Sequence, residues 1–263
     1  MNIALLIGIN YKGTSSELNG CINDVVNTKQ VLMEQYHFEE KNISMLTDDT
    51  EKKPTSRNII QGLYHLAFQT YKEDIKQVWI SYSGHGSYIT DYSSDEDDGK
   101  DECLVPLDYS TAGLITDDSL HHILGNFNPK TKVLFIIDAC HSETILDLPY
   151  RYVAGSKNVI ENHSSQLKGQ IVMLSGCRDD QTSADAYNIE NSHQYSGAMT
   201  SALLSTLKKF HYTVRCWSLL KEMRLFLASR DYSQVPQLSC TFPLDDNCIF
   251  SMVKTPVVCV SSV

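Results

Sequence analysis

The chain has 263 residues, 42% of them apolar, with 22 basic against 32 acidic side chains and a formal charge of −10. That length suits one α/β domain with a substantial core. The acidic balance argues against a nucleic-acid-binding surface and is compatible with cationic ligands or basic peptides. The eight cysteines form neither a disulfide framework nor a Cys-x-x-Cys zinc pattern, so reduced thiols and a cytoplasmic protein are expected.

Ile3–Ile9 is a continuous apolar run, too short to span a membrane and lacking a basic flank. It reads as a strand buried on both faces, and no membrane association is expected. Asn19–Tyr36 carries Ile22, Val25, Val26, Leu32, Met33 and Tyr36 at helical spacing. Ile43–Leu46 suits a short strand. Thr55 can cap a helix whose apolar face holds Ile59, Ile60, Leu63, Ala67 and Phe68. Gln77–Tyr82 is strand-like and stops at Ser83-Gly84-His85-Gly86, and Asp91–Glu102 is acidic, turn-rich and without apolar periodicity. Thr116 is an N-cap candidate, leading through Asp117 and Asp118 into a short helix ending at Leu124. Val133–Ile137 is another buried strand, ending at Asp138-Ala139-Cys140-His141.

Leu148–Gln170 is polar, holds Gly155 and Gly169, and is the candidate for a mobile linker. Ile171–Leu174 follows as a strand, then helices near Ser196–Phe210 and Val214–Ser229, then edge-strand material containing Pro236 and Pro243. Strands alternating with helices predict an α/β domain over 1–263, with a largely parallel central sheet and helices on both faces.

Ligands of open parallel sheets bind beyond the carboxyl ends of the strands. Two such ends carry reactive residues, His85 and Cys140. They are 55 residues apart, one crossover connection, so their strands can be neighbours. A free thiol is only a few per cent thiolate at neutral pH, and a nearby imidazole can take its proton and return it to a leaving amine. The N–H groups of Gly86 and Cys140 are candidate oxyanion donors. Asp138 precedes Cys140 by two residues and shares its face of the strand. With Asp24 opposite, it would attract a Lys or Arg side chain. The plainer alternative makes Cys140 a core thiol, His85 a turn residue and Asp24 part of a solvated helix face.

Four segments bear on that choice. Tyr82-Ser83-Gly84-His85-Gly86 and Asp138-Ala139-Cys140-His141-Ser142 resemble the two active-site signatures of the metacaspases. Ser175-Gly176-Cys177-Arg178-Asp179-Asp180-Gln181-Thr182-Ser183-Ala184-Asp185 resembles that family's small-subunit signature, and Gly20-Cys21-Ile22-Asn23-Asp24 its N-terminal motif. The similarity runs from about residue 3 to residue 210, in the family's order. It implies a caspase-like fold with a large-subunit-like part (1–148), a polar linker (149–170) and a small-subunit-like part (171–263), of the type I kind without its N-terminal extension. It further implies a Cys140–His85 dyad with Gly86, and an acidic specificity pocket of Cys21, Asp24, Ser83 and Asp138 that takes Arg or Lys before the scissile bond. A calcium ion on Asp101, Asp117, Asp118 and Asp147 is implied, as are self-cleavage at Arg151, Lys157 or Lys168 and a monomer. The family usually has Gly where this chain has Glu143, which bears on rate. The alternative is a weakly active or inactive scaffold acting through protein–protein interaction. A calcium-binding module of the EF-hand kind fails on its loop positions, since Val105 stands where the bidentate Glu belongs.

Overall fold

The computed structural model describes residues 1–72, 74–90, 100–139, 145–152, 159–161, 167–176, 185–187, 195–244 and 248–250. In chain order the elements are β1 (Asn2–Gly8), α1 (Cys21–Tyr36), β2 (Ile43–Thr47), α2 (Ser56–Lys72), β3 (Gln77–Ser83), β4 (Gly86–Thr90) and β5 (Lys100–Leu104). There follow α3 (Tyr109–Ala112), β6 (Ile115–Thr116), α4 (Asp117–Leu124), β7 (Lys132–Asp138), β8 (Tyr150–Tyr152), β9 (Val159–Glu161) and β10 (Gln170–Ser175). The last are β11 (Asp185–Tyr187), β12 (Tyr195–Gly197), α5 (Ala198–Lys209), β13 (Val214–Arg215), α6 (Cys216–Ala228), β14 (Gln237–Cys240) and β15 (Ile249–Phe250).

The central sheet has eight strands in the order β2-β1-β3-β7-β10-β14-β8-β9. The first five run parallel, and β14, β8 and β9 continue antiparallel. Side-chain alternation divides the core between the two faces. Ile3, Leu5 and Ile7 of β1, Val78, Ile80 and Tyr82 of β3, and Val133, Phe135 and Ile137 of β7 pack with Ile59 and Leu63 of α2 and with Leu120 and Ile123 of α4. Ala4, Leu6, Trp79, Leu134 and Ile136 face the other way, against Val25 and Leu32 of α1, Met199 and Leu203 of α5, and Leu219 and Met223 of α6. Burial on both faces is why the interiors of β1 and β7 are unbroken apolar runs in sequence and that of β3 is interrupted at Ser81 alone.

Two expected caps form. Thr55 Oγ1 accepts from Asn58 N at 3.2 Å, and Thr116 Oγ1 accepts from Ser119 N at 3.3 Å. The helix faces differ in detail from the expected ones. On α1 the buried stripe is Cys21, Asp24, Val25, Thr28, Leu32 and Tyr36, while Val26 is exposed; Phe68 of α2 is also exposed. The stretch expected to be a linker contains β8 and β9, and β14 is interior because β8 pairs along its far side. The acidic stretch ends in a strand, β5, paired with β4 and β6. Cys21, Cys103, Cys216 and Cys240 are buried thiols outside any disulfide. Cys248 is disulfide-bonded, which departs from the expectation of reduced thiols throughout. Among the described residues no helix is long and apolar enough to cross a membrane.

Candidate active site

The two strands that end in reactive residues are direct neighbours. β3 pairs with β7 in parallel register, Tyr82 beside Ile137 and Ser83 beside Asp138, and the Gly84 N–H extends the ladder to the Asp138 carbonyl at 3.2 Å. Cys140, the expected nucleophile, and Glu143 lie outside the described residues. The register nonetheless leaves His85 and Cys140 each two residues beyond the same Ser83–Asp138 pair.

The His85 turn is held from below by two buried tyrosines. The Tyr11 hydroxyl accepts from the His85 N–H at 2.9 Å and donates to the Val105 carbonyl at 2.6 Å. The Tyr82 hydroxyl lies 2.7 Å from the His85 carbonyl, and the two hydroxyls are 3.2 Å apart. Both rings are buried, and burial raises the Tyr11 hydroxyl well above its ordinary range, so it stays a neutral hydrogen-bonding group. Gly84 is what lets them approach: a Cβ there would stand 2.9 Å from the Tyr82 hydroxyl and 3.0 Å from that of Tyr11. The imidazole packs on the Tyr11 ring, centroids 4.7 Å apart, and its Nε2 lies 2.7 Å from the Ser16 carbonyl. A carbonyl can only accept, so Nε2 carries a proton, and in the neutral ring Nδ1 is the free base. Gly86 opens β4 directly after His85, opposite Leu104.

The acidic residues are gathered on the other face. Ser83 and Asp138 leave their strands on the α1/α5 side, where the buried stripe of α1 brings Asp24. Asp24 is 2% exposed and Asp138 3%, so Asp24 is not part of a solvated helix face. The Asp24 carboxylate accepts from Ser83 Oγ at 2.5 Å, Ser196 Oγ at 2.6 Å and the Gly197 N–H at 2.9 Å. Asp138 Oδ2 accepts from the Thr200 N–H at 2.8 Å. Burial, then the neighbouring Asp138, push the Asp24 carboxyl up to about 8 against the pull of these donors. Cys21, one turn before Asp24, is buried at the start of α1.

The four aspartates expected to hold a metal share one neighbourhood around α4. Asp117 and Asp118 open that helix, and the Asp117 carboxylate accepts from the Glu102 N–H at 2.6 Å and the Asp118 N–H at 2.7 Å. Asp101 and Glu102 lie on the adjoining β5. The Cys103 thiol, next along β5, is pushed up to about 12 by burial, then by Asp117, Asp101 and Glu102. His121 of α4 reaches the Leu146 carbonyl at 3.1 Å, next to Asp147, whose φ is +47°. Among the described residues no three His, Cys, Asp or Glu side chains converge as ligands of one ion. The Asp117 oxygens are instead directed at backbone N–H groups.

Sequence reasoning missed Tyr11, Ser16, Ser196, Gly197 and Thr200. Tyr11 follows the first apolar run by two residues, and Gly197 directly precedes a helix. Neither signal alone marks a site.

Comparison with known proteins adds to this geometry. Residues 3–149 match the family model described as metacaspase, peptidase C14 domain. Metacaspase-1A of Aspergillus terreus is 34% identical over an alignment covering 95% of this chain and 72% of the relative. A solved structure from Geobacter sulfurreducens superposes with a TM-score of 0.66 at 26% identity, covering 93% of this chain and 94% of that one. Caspase-1 from Spodoptera frugiperda shares the fold, with a TM-score of 0.54 at 14% identity over 96% of this chain and 89% of that one.

Proposed function

Because the chain belongs to the metacaspase family of cysteine peptidases, we propose that it is a calcium-activated endopeptidase cutting after Arg or Lys through Cys140 and His85. The observation that carries the reading is the register of β3 on β7. It sets Ser83 and Asp138 side by side, each two residues before His85 and Cys140 in the chain, with the carboxylates of Asp24 and Asp138 buried there, which supports the pairing.

In the proposed reaction, His85 Nδ1 takes the proton of the Cys140 thiol, and the sulfur attacks the scissile carbonyl carbon. The developing oxyanion is met by the N–H groups of Gly86 and Cys140. His85 returns the proton to the departing amine, leaving an acyl group on Cys140. Water, deprotonated by His85, then attacks the thioester, and the carboxylic product departs as the thiol is restored. The Ser16 carbonyl supports the tautomer this cycle needs. Asp24 and Asp138 would attract the substrate's ammonium or guanidinium and reject an acidic side chain. Uptake of that cation favours the ionised form of Asp24.

The Asp101, Asp117, Asp118 and Asp147 oxygens are hard donors of the kind calcium takes, and they would hold the ion. When bound, it would supply a positive charge that draws these carboxylates together and ties the segment after β7 to α4. Self-cleavage is proposed at Lys157 or Lys168 rather than Arg151, which sits in β8 opposite Ser239. Extension of the sheet past β10 by β14, β8 and β9 supports a monomer.

The test is a panel of fluorogenic peptides with Arg, Lys or Asp before the scissile bond, with calcium and with excess chelator. Hydrolysis of the basic peptides with calcium, lost in Cys140→Ala and His85→Ala, is expected. Undiminished rates in chelator remove calcium from the account, and full activity in Cys140→Ala removes the dyad.

A further inference from the structure

The two pocket carboxylates have a third neighbour besides the strand ends and α1, namely the corner where β12 runs into α5. Ser196 donates its hydroxyl to Asp24 Oδ1 at 2.6 Å and in turn accepts from Ser201 Oγ at 2.8 Å. The Gly197 N–H straddles both Asp24 oxygens, at 2.9 and 3.1 Å. Three residues on, the Thr200 N–H in the first turn of α5 takes Asp138 Oδ2 at 2.8 Å. The Asn23 side chain anchors the same corner to α1 through the Tyr195 carbonyl at 2.7 Å. Gly197 lies between the two acids. A Cβ built there would collide with Asp138 Oδ2 and stand 2.7 Å from Asp24 Oδ2.

We propose that this corner is the third wall of the specificity pocket, with Ser196 positioning the Asp24 carboxylate and Gly197 keeping clear the notch between the acids into which the substrate's basic side chain reaches. The proposal rests on the reading of Asp24 and Asp138 as the pocket.

Ordinary packing asks only for a small residue at 197. What distinguishes this glycine is that both atoms it would displace are carboxylate oxygens, the groups a guanidinium or ammonium must touch. A methyl there competes with the ligand. Ser196 acts differently, by charge. Asp24 is faced by Asp138 from β7, by Ser83 from β3 and by Ser196 and Gly197 from β12, and Asp138 is the titratable group among them. The two hydroxyls and the N–H are what favour the ionised form against burial and Asp138. Removing the Ser196 hydroxyl leaves Asp24 neutral to a higher pH, where it attracts a cation less.

The experiment uses the full chain. KM and kcat are measured for Arg and Lys peptides across pH in wild type, Gly197→Ala, Ser196→Ala and Ser196→Thr. The rate of Cys140 alkylation by iodoacetamide, a reagent that needs no pocket, is measured in parallel. Gly197→Ala is expected to raise KM for both peptides by about 10–200-fold, the range one misplaced methyl group commands in a pocket, with alkylation kept near the wild-type rate. Ser196→Ala is expected to move the acid limb of kcat/KM upward in pH without moving that of alkylation, and Ser196→Thr to restore it. Should Gly197→Ala not fold, the Ser196 pair decides. A wild type selective for Arg and Lys, with variants unchanged in KM and pH profile, overturns this inference alone. A wild type indifferent to basic residues overturns the pocket reading and this inference with it.

Discussion

Replacing Tyr11 by Phe removes one oxygen atom and leaves the ring stacked on His85. That oxygen is the acceptor for the His85 N–H and a donor to the Val105 carbonyl, and the residue is 1% exposed. Val105 keeps the Tyr82 hydroxyl at 3.0 Å, but the partly buried His85 N–H loses the acceptor it has in the Tyr11 oxygen, and leaving such a group unpaired costs about 1–3 kcal/mol. At about 2–4 °C per kcal/mol for a chain approaching this size, Tm should fall by several degrees. The same N–H fixes the turn carrying the imidazole, so kcat for an Arg peptide should fall about tenfold or more with KM little changed, since loss of catalytic geometry is costly while the pocket is untouched. Urea unfolding should show a lower midpoint at constant slope. Tyr82→Phe should behave similarly, and the double variant should lose less than the sum because the hydroxyls form one network. A Tyr11→Phe protein with the wild-type midpoint and kcat would refute the claim that these hydroxyls hold the catalytic turn.

Burial, then the neighbouring Asp138, push the Asp24 carboxyl up to about 8, against an ordinary value of 3.8. The folded state therefore binds the extra proton between those values, and stability should fall as pH rises through that window. Tm measured from pH 5 to 8 should decline more steeply in wild type than in Asp24→Asn, and equal slopes would contradict the assignment. Asp117→Ala should destabilise the protein by about 1–3 kcal/mol even in excess chelator, because the Glu102 and Asp118 N–H groups lose their acceptor; a denaturation midpoint unchanged from wild type would count against it. Mass spectrometry of calcium-activated protein should find self-cleavage after Lys157 or Lys168 and none after Arg151, since cutting there requires β8 to leave the sheet; a fragment ending at Arg151 would show the opposite.

What was legible in the sequence follows from which groups carry a pattern. β1, β7 and β10 are apolar on both faces and read as uninterrupted runs, β3 nearly so with Ser81 inside it, while Thr55 and Thr116 announce their helices by a side-chain oxygen. β5, with the sequence Lys-Asp-Glu-Cys-Leu, shows no such run although Asp101 to Leu104 are buried, because two of the residues it buries are acidic, and β8 and β9 are three residues each, too short to make one. Val26 and Phe68 misled the helix faces because an apolar residue on a helix is often exposed. At the site, His85, Asp24 and Asp138 carry visible chemistry. The groups that orient them are backbone carbonyls, backbone N–H groups and hydroxyls from Tyr11, Ser16, Ser196, Gly197 and Thr200, whose roles exist only once distant segments meet.

The central claim is that Cys140 is a nucleophile in a cleft that takes a basic side chain, and one labelling measurement addresses both halves. The calcium-loaded protein is treated separately with peptidyl-arginine and peptidyl-aspartate chloromethyl ketones, and peptide mass spectrometry locates the adducts. The account predicts a single adduct on Cys140 from the arginine reagent, strongly slowed in His85→Ala, and negligible labelling by the aspartate reagent. Labelling of another cysteine instead, or equal labelling of Cys140 by both reagents, would contradict it.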